Sequence, residues 1–253
     1  MRAPPEGSRR SPAQALRSWT FDALWAIWTA LFGLTIPLLW GLGSPPRLVR
    51  SGSRVWARGV LALLGVVAGV RYVVRGASNL PDRPCLIVAN HQSTWETIAA
   101  LALFPEVAIV AKRELLRIPV MGWYLRRSPM IVIDREEAGK ALREMTAQSR
   151  AAMAEGRSVL IFPEGTRTPV GKPVSFKRGV ELLYRTLEAP VVPVALDSGR
   201  FWPLGSRLKA PGVITVSLLS PIPPGLPAAE FARRAESMIE TEKAALVASG
   251  ASS

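Results

Sequence analysis
Hydrophobic and polar positions divide this chain into two regimes. In the first, apolar residues run together: from Ala23 to Leu42 the sequence reads ALWAIWTALFGLTIPLLWGL. About 20 helical residues reach roughly 30 Å, the thickness of a bilayer core. Trp19, Trp25, Trp28 and Trp40 suit an interfacial belt around such a helix. A buried helix of a soluble protein fits the same composition. A signal peptide does not, because the run is long and no small-residue cleavage site follows it. A second apolar stretch, Gly59–Val70, lies between Arg58 and Arg71. At about 12 residues it is too short to span comfortably. Arg47, Arg50, Arg54 and Arg58 separate the two stretches. Four arginines do not rest in hydrocarbon, so this connector is expected at a headgroup surface, with two helices gripping the cytoplasmic leaflet and a membrane-spanning first helix left open. Residues 1–18, rich in Pro, Ser, Ala and Arg, read as a disordered basic tail, and 19–72 as a membrane-associated helical region.

From about Val73 short apolar runs alternate with helical periodicity. Cys85–Ala89, Val107–Ala111, Met130–Asp134, Val159–Pro163, Val191–Leu196 and Ile214–Leu219 read as strands. Thr94–Phe104, Glu137–Glu155, Gly179–Leu187 and Ala228–Val247 read as helices, the second stopped by Gly156. The alternation predicts an α/β fold over 73–253: a mixed, largely parallel central sheet flanked by helices, preceded by the N-terminal membrane-associated helical segment.

Charge narrows the partners. Lys and Arg number 32 against 19 Asp and Glu, a formal charge of +13. That excess suits anionic lipid, a phosphorylated substrate or nucleic acid. An arginine-rich segment beside apolar helices fits an anionic membrane surface, and no familiar nucleic-acid-binding motif is present, so no nucleic-acid partner is expected. Cys85 stands alone, which excludes an intrachain disulfide and reads as a small apolar strand residue. With one His and one Cys, zinc-finger spacing is excluded, and no metal site is expected.

In sheets of this kind, sites gather beyond the carboxyl ends of strands. Four segments stand out there: Asn90–Glu96, Asp134-Arg135, Glu164-Gly165-Thr166-Arg167 and Asp197-Ser198-Gly199. The first holds the only histidine, His91, followed five positions on by Glu96. If His91 lies in the loop and Glu96 in the first helical turn, the carboxylate can fix the imidazole tautomer and leave the other nitrogen free to take a proton. Ser93-Thr94-Trp95-Glu96 also fits a capping box, in which Glu96 merely closes the helix start. The residues alone leave both readings open. Arg167 and Arg135 at strand ends offer forks to a phosphate, Gly165 lets backbone N–H groups approach an anion, and Lys112 and Lys177 are further cationic candidates.

These segments resemble the sequence blocks of the 1-acyl-glycerol-3-phosphate acyltransferase family, within the glycerolipid acyltransferase superfamily. The first block, His, four residues, then Asp, is matched by His91–Glu96 with Glu in place of Asp. Phe162-Pro163-Glu164-Gly165-Thr166-Arg167 matches the third closely. Ile133-Asp134-Arg135, with Gly122 upstream, is similar to the second, and Val192-Pro193-Val194-Ala195-Leu196 to the fourth. The blocks keep the family's order and cover roughly 73–200. The resemblance implies that 73–253 is an acyltransferase domain. It would move a fatty acyl group from acyl-CoA or acyl carrier protein, as co-substrate, to the free hydroxyl of 1-acyl-glycerol 3-phosphate. The product would be phosphatidic acid, made without a cofactor. It also implies His91 as base and Glu96 as its orienter, with Arg135, Glu164, Gly165, Thr166 and Arg167 binding the phosphorylated acceptor. Glu164 could instead anchor its turn, since a lone carboxylate repels phosphate. The implied location is the cytoplasmic face of a membrane, the inner one in a bacterium.

Three rival readings remain. One changes the acceptor to another lysolipid, such as lyso-ornithine lipid. A hydrolase is disfavoured by the absence of a Gly-x-Ser-x-Gly elbow. The last is a non-enzymatic binder of anionic lipid.

Overall fold
The computed structural model describes residues 11–104, 106–128, 130–134 and 138–249. Among these residues seven strands form one sheet: β1 (Val70–Arg75), β2 (Leu86–Ala89), β3 (Val107–Lys112), β4 (Ile131–Ile133), β5 (Ser158–Ile161), β6 (Val191–Leu196) and β7 (Gly212–Leu218). Their order is β1-β7-β6-β2-β5-β3-β4. Every pairing is parallel except β6 with β7, so the mixed, largely parallel sheet expected from the sequence is present.

β2 lies centrally, and all four of its residues are buried. Alternate side chains serve opposite faces. Ile87 and Ala89 enter one core with residues of α1 (Pro12–Gly33), α3 (Pro46–Leu63) and α4 (Trp95–Leu103), against which α5 (Met121–Arg127) also packs. Leu86 and Val88 enter the other with α6 (Ala138–Ala154), α7 (Arg178–Leu187) and α8 (Ala228–Ser249). With both faces covered, the central strands read as continuous apolar runs, as sequence inspection found them.

The amino-terminal region departs from expectation in four respects. Helix α1 begins at Pro12, inside the segment read as a disordered tail; Ser11 caps it by accepting from the Ala13 N–H. The apolar run is bent rather than continuous. Pro37 of α2 (Thr35–Gly41) has no N–H for the Gly33 carbonyl, and the helix breaks at Leu34. The arginine connector is itself helical, within α3. Arg50 and Arg54 turn inward to both oxygens of Glu106, at 2.6 and 2.7 Å, while Arg47 and Arg58 stay exposed. Finally, β1 starts at Val70, within the stretch read as helical. Gly69, at φ 72°, ends a π-helical turn over Leu64–Ala68 and lets the chain enter this edge strand.

The tryptophan belt also divides. Trp19 and Trp40 are exposed, but Trp25 and Trp28 face the domain. Trp28 donates to the Trp56 carbonyl at 3.1 Å and lies against Gly59, where a Cβ would come within 2.6 Å of the indole. Trp56 donates back to Thr29 Oγ1. Pro12–Gly41 is long and apolar enough to cross a membrane by length and composition. Yet one side of it is fastened to the sheet domain. Phe21 is fully buried, which contributes roughly 2–3 kcal/mol. Lys209 reaches between the Phe21 and Trp202 rings, 5.1 and 4.9 Å from their centroids, to pair with Asp22. The Lys209 N–H donates to Ser18, and Gln14 donates to the Lys209 carbonyl.

Lys209→Ala is therefore expected to destabilise the protein by about 2–3 kcal/mol, less than a fully buried pair because Asp22 keeps a third of its side-chain exposure. Urea unfolding in detergent checks this. A loss below about 0.5 kcal/mol, the scale of an ordinary surface substitution, contradicts the clamp.

Candidate active site
The carboxyl ends of β2, β5 and β6, three adjacent strands, bring three of the four singled-out segments together. Asn90 sets the origin. Its side chain donates to the Leu196 carbonyl at 3.0 Å and accepts from the Leu196 N–H at 2.9 Å, tying the end of β2 to the end of β6. The next residue, His91, is in the loop, and Glu96 is in the first turn of α4. Their side chains meet, with Nδ1 2.8 Å from Glu96 Oε1.

Glu96 is 3% exposed and accepts from five donors. Oε1 faces His91 Nδ1 and the N–H groups of Gln92 and Ser93; Oε2 faces the hydroxyls of Ser93 at 2.9 Å and Ser198 at 2.7 Å. Burial pushes its pKa up, but the hydrogen bonds from His91, the Ser93 N–H and the Ser198 hydroxyl act against that, and the carboxyl is held below the usual range. The capping interaction and the imidazole contact are thus both present. One carboxylate closes the helix start and engages the ring.

An ionised carboxylate only accepts, so Nδ1 carries the proton and Nε2 presents its lone pair. Among the described residues Nε2 makes no protein hydrogen bond, and the ring keeps 16% exposure. Phe162 stacks on it, with centroids 4.1 Å apart and planes 16° from parallel.

The Phe162–Arg167 turn is strapped to the His91 loop. Thr168 N–H donates to the His91 carbonyl at 2.7 Å, and Gly165, at φ 70°, makes the reversal. Glu164 turns inward: Oε1 accepts the His91 N–H at 2.9 Å, while Oε2 is buried with no close hydrogen-bond partner among the described residues. Burial pushes the Glu164 pKa up, although Thr168, the His91 N–H and the Lys243 charge act against it. This is the geometry of a turn anchor. Thr166 and Arg167 are exposed, and Arg167 donates to Thr94 Oγ1 at 3.0 Å, which holds the guanidinium over the start of α4. Lys112, at the end of β3, and Lys177, just before α7, are exposed and stand farther along the same edge. Arg135 lies outside the described residues. Among the described residues, no group of three or more His, Cys, Asp or Glu side chains is set to hold a metal ion. Cys85 is buried at the start of β2, the opposite end from His91.

Asn90, Phe162 and Ser198 lie in segments singled out from the sequence, but nothing there gives any of the three a role in the site. Each flanks or ends an apolar run and looks ordinary until the strand order is known. The helix expected over Ala228–Val247 is present as α8, and its sequence gives no sign that it serves the site. Glu236 and Glu240 of α8 accept the Phe176 and Val174 N–H groups, and Lys243 donates to the Lys172 carbonyl, holding down the segment that follows Arg167.

An apolar pocket, partly open to solvent, lies among α1, α3 and α4. Phe32 of α1, Trp56 of α3, Thr97 and Leu101 of α4, Ala111 of β3 and Met130 are among its lining residues.

Residues 71–197 match the family model described as Acyltransferase. A protein of Pseudomonas aeruginosa named 1-acyl-sn-glycerol-3-phosphate acyltransferase is 40% identical over 211 residues, 81% of this chain and 80% of that one. The human 1-acyl-sn-glycerol-3-phosphate acyltransferase beta is 34% identical over 166 residues, 64% of this chain and 60% of that protein. The crystal structure of the 1-acyl-sn-glycerophosphate acyltransferase PlsC from Thermotoga maritima matches with a TM-score of 0.76 at 25% identity, covering 94% of this chain and 99% of that one.

The raised pKa of Glu164 makes a stability prediction. A carboxyl with a folded pKa above its ordinary 4.5 contributes stability that is fully present below that value and lost as pH rises through the folded pKa. Glu164→Gln keeps the acceptor for the His91 N–H and removes this loss. Its stability relative to the unmodified protein should therefore increase as pH is raised from the ordinary carboxyl value of 4.5 into the neutral range. Denaturant unfolding at both ends of the range measures it; a difference that stays flat or shrinks contradicts the assignment.

Proposed function
The chain belongs to the acyltransferase family, and on that premise we propose that it transfers a fatty acyl group to the free hydroxyl of 1-acyl-glycerol 3-phosphate, giving phosphatidic acid. The donor is a thioester, acyl-CoA or acyl carrier protein. The observation that carries the reading is the buried, ionised Glu96 fixing His91 with Nε2 bare at the edge where Arg167 arrives.

In this mechanism Nε2 takes the hydroxyl proton as the acceptor oxygen attacks the thioester carbonyl. The tetrahedral adduct collapses, the C–S bond breaks, and the departing thiolate receives the proton from the imidazolium. Glu96 stays ionised and stabilises the imidazolium while it exists. No acyl-enzyme forms. Arg167 and Arg135 hold the acceptor phosphate, with Gly165 and Thr166 shaping the turn, and Lys112 and Lys177 add positive potential along the approach. The apolar lining of the pocket among α1, α3 and α4 suits an acyl chain.

The membrane supplies the acceptor. Ile27, Leu31, Leu34, Leu38, Trp40 and Leu42 form an exposed apolar side of α1 and α2, opposite the face clamped by Lys209. A helix fastened along the domain sits in the leaflet surface, here the cytoplasmic one where thioester donors are met. The single-chain acceptor then reaches His91 by diffusion in the plane.

Two results test the proposal in vesicles with labelled donor. His91→Ala should lower transfer to lysophosphatidic acid by about 10²–10⁴-fold. Near-native transfer in a folded, membrane-bound His91→Ala protein, or a preference for a different lysolipid, defeats it. Arg167→Ala should raise KM for the acceptor about tenfold or more and leave KM for the donor unchanged, as expected for loss of a charge-assisted hydrogen bond. Equal effects on the two substrates remove Arg167 from phosphate binding.

A further inference from the structure
One strand-end segment, Asp197-Ser198-Gly199, has no part in the mechanism above, yet it is built against the dyad. Asp197 is buried and pins the turn: Oδ1 accepts the Thr215 N–H of β7 at 2.8 Å, and Oδ2 accepts from Arg200 at 3.2 Å. Gly199 N–H donates to the Gln92 side chain at 3.1 Å. A Cβ on Gly199 would lie 2.7 Å from Val170 and 3.0 Å from the Gln92 Cβ, so this turn and the His91 loop touch at closest approach. Between these fixed neighbours Ser198, wholly buried, sends its hydroxyl to Glu96 Oε2 at 2.7 Å.

We propose that Ser198 is a positioning residue for the acid–base pair: its hydroxyl, delivered from the end of β6, holds Oε2 and thereby keeps Oε1 turned to the imidazole. Oε1 takes three N–H donors and Oε2 two hydroxyls. Ser93, the other hydroxyl donor, moves with the helix start, because its Oγ also caps the Trp95 N–H. Ser198 is the donor that comes from a different strand. It references the carboxylate to the sheet rather than to its own loop. This matters for a glutamate, whose extra methylene gives the carboxylate one more rotatable bond than an aspartate.

The proposal rests on the acid–base reading of His91, and the test keeps the two apart. Ser198→Ala should lower kcat by about 10- to 100-fold, the effect of losing a hydrogen bond to a charged group, with KM for donor and acceptor unchanged. The acid limb of the kcat profile should move upward by about one pH unit, since the ionised carboxylate loses a donor. The charged and titratable groups around Glu96 are His91 on its own loop, Arg167 over Thr94, Glu164 after β5, and Asp197 with Arg200 after β6. All remain in Ser198→Ala. Ser198→Thr, which restores the hydroxyl, should recover most of kcat and the original limb.

A second readout needs no turnover. The chain has one histidine, so its imidazole N–H signal in ¹H–¹⁵N spectra belongs to His91 without assignment. The Nδ1–H should exchange with solvent slowly in the unmodified protein and in Ser198→Thr, and measurably faster in Ser198→Ala. If Ser198→Ala matches the unmodified protein in kcat, acid limb and Nδ1–H exchange, the inference is overturned, even if its Tm is lower. If instead His91→Ala keeps full activity, the acid–base reading fails by itself, and the exchange comparison still decides whether Ser198 positions the ring.

Discussion
A carboxylate with almost no access to water sits at the edge of a sheet and remains ionised because five donors converge on it. This interaction organises the rest of the site. Burial alone raises a carboxyl's pKa and would leave Glu96 protonated and able to donate. With the Gln92 and Ser93 N–H groups, the Ser93 and Ser198 hydroxyls and His91 Nδ1 around it, the charged form prevails. The imidazole proton is then confined to Nδ1 and the basic lone pair to Nε2. Tautomer and ring orientation both follow from that one anchored charge.

The fold delivers those donors from separate parts of the chain. The β2 loop brings His91, the α4 start brings Glu96 and two amides, and the end of β6 brings Ser198, with Asn90 locking β2 to β6. The turn after β5 closes over the loop through the Glu164 and Thr168 contacts, and α8 holds the next segment in place with Glu236, Glu240 and Lys243. On the other face, Lys209, Phe21 and Trp202 fasten α1 to the domain. The apolar side of α1 and α2 and the edge carrying His91 therefore belong to one rigid arrangement.

Much of this was legible in the sequence. The central strands are buried on both faces and announce themselves as apolar runs, and the loops after three of them carry the polar residues that meet. The spacing of His91 and Glu96 left a dyad and a helix cap as alternatives, because a carboxylate has two oxygens and several lone pairs. The fold uses both possibilities. Other features were hidden because their partners lie far away in sequence. Ser198 is 102 positions from Glu96, and Lys209 is 187 from Asp22. Strand β1 was masked by Val70, which closes an apolar stretch already read as helix. The arginines of α3 resembled a surface connector because nothing local shows that Arg50 and Arg54 converge on Glu106.

The central claim is that Glu96 acts only through His91. A double-mutant cycle in single-turnover acyl transfer, comparing His91→Ala, Glu96→Gln and the combined variant, tests it most directly. If the carboxylate works through the ring, adding Glu96→Gln to His91→Ala costs no further rate. Losses that multiply would mean that the two side chains act independently, which would contradict the account.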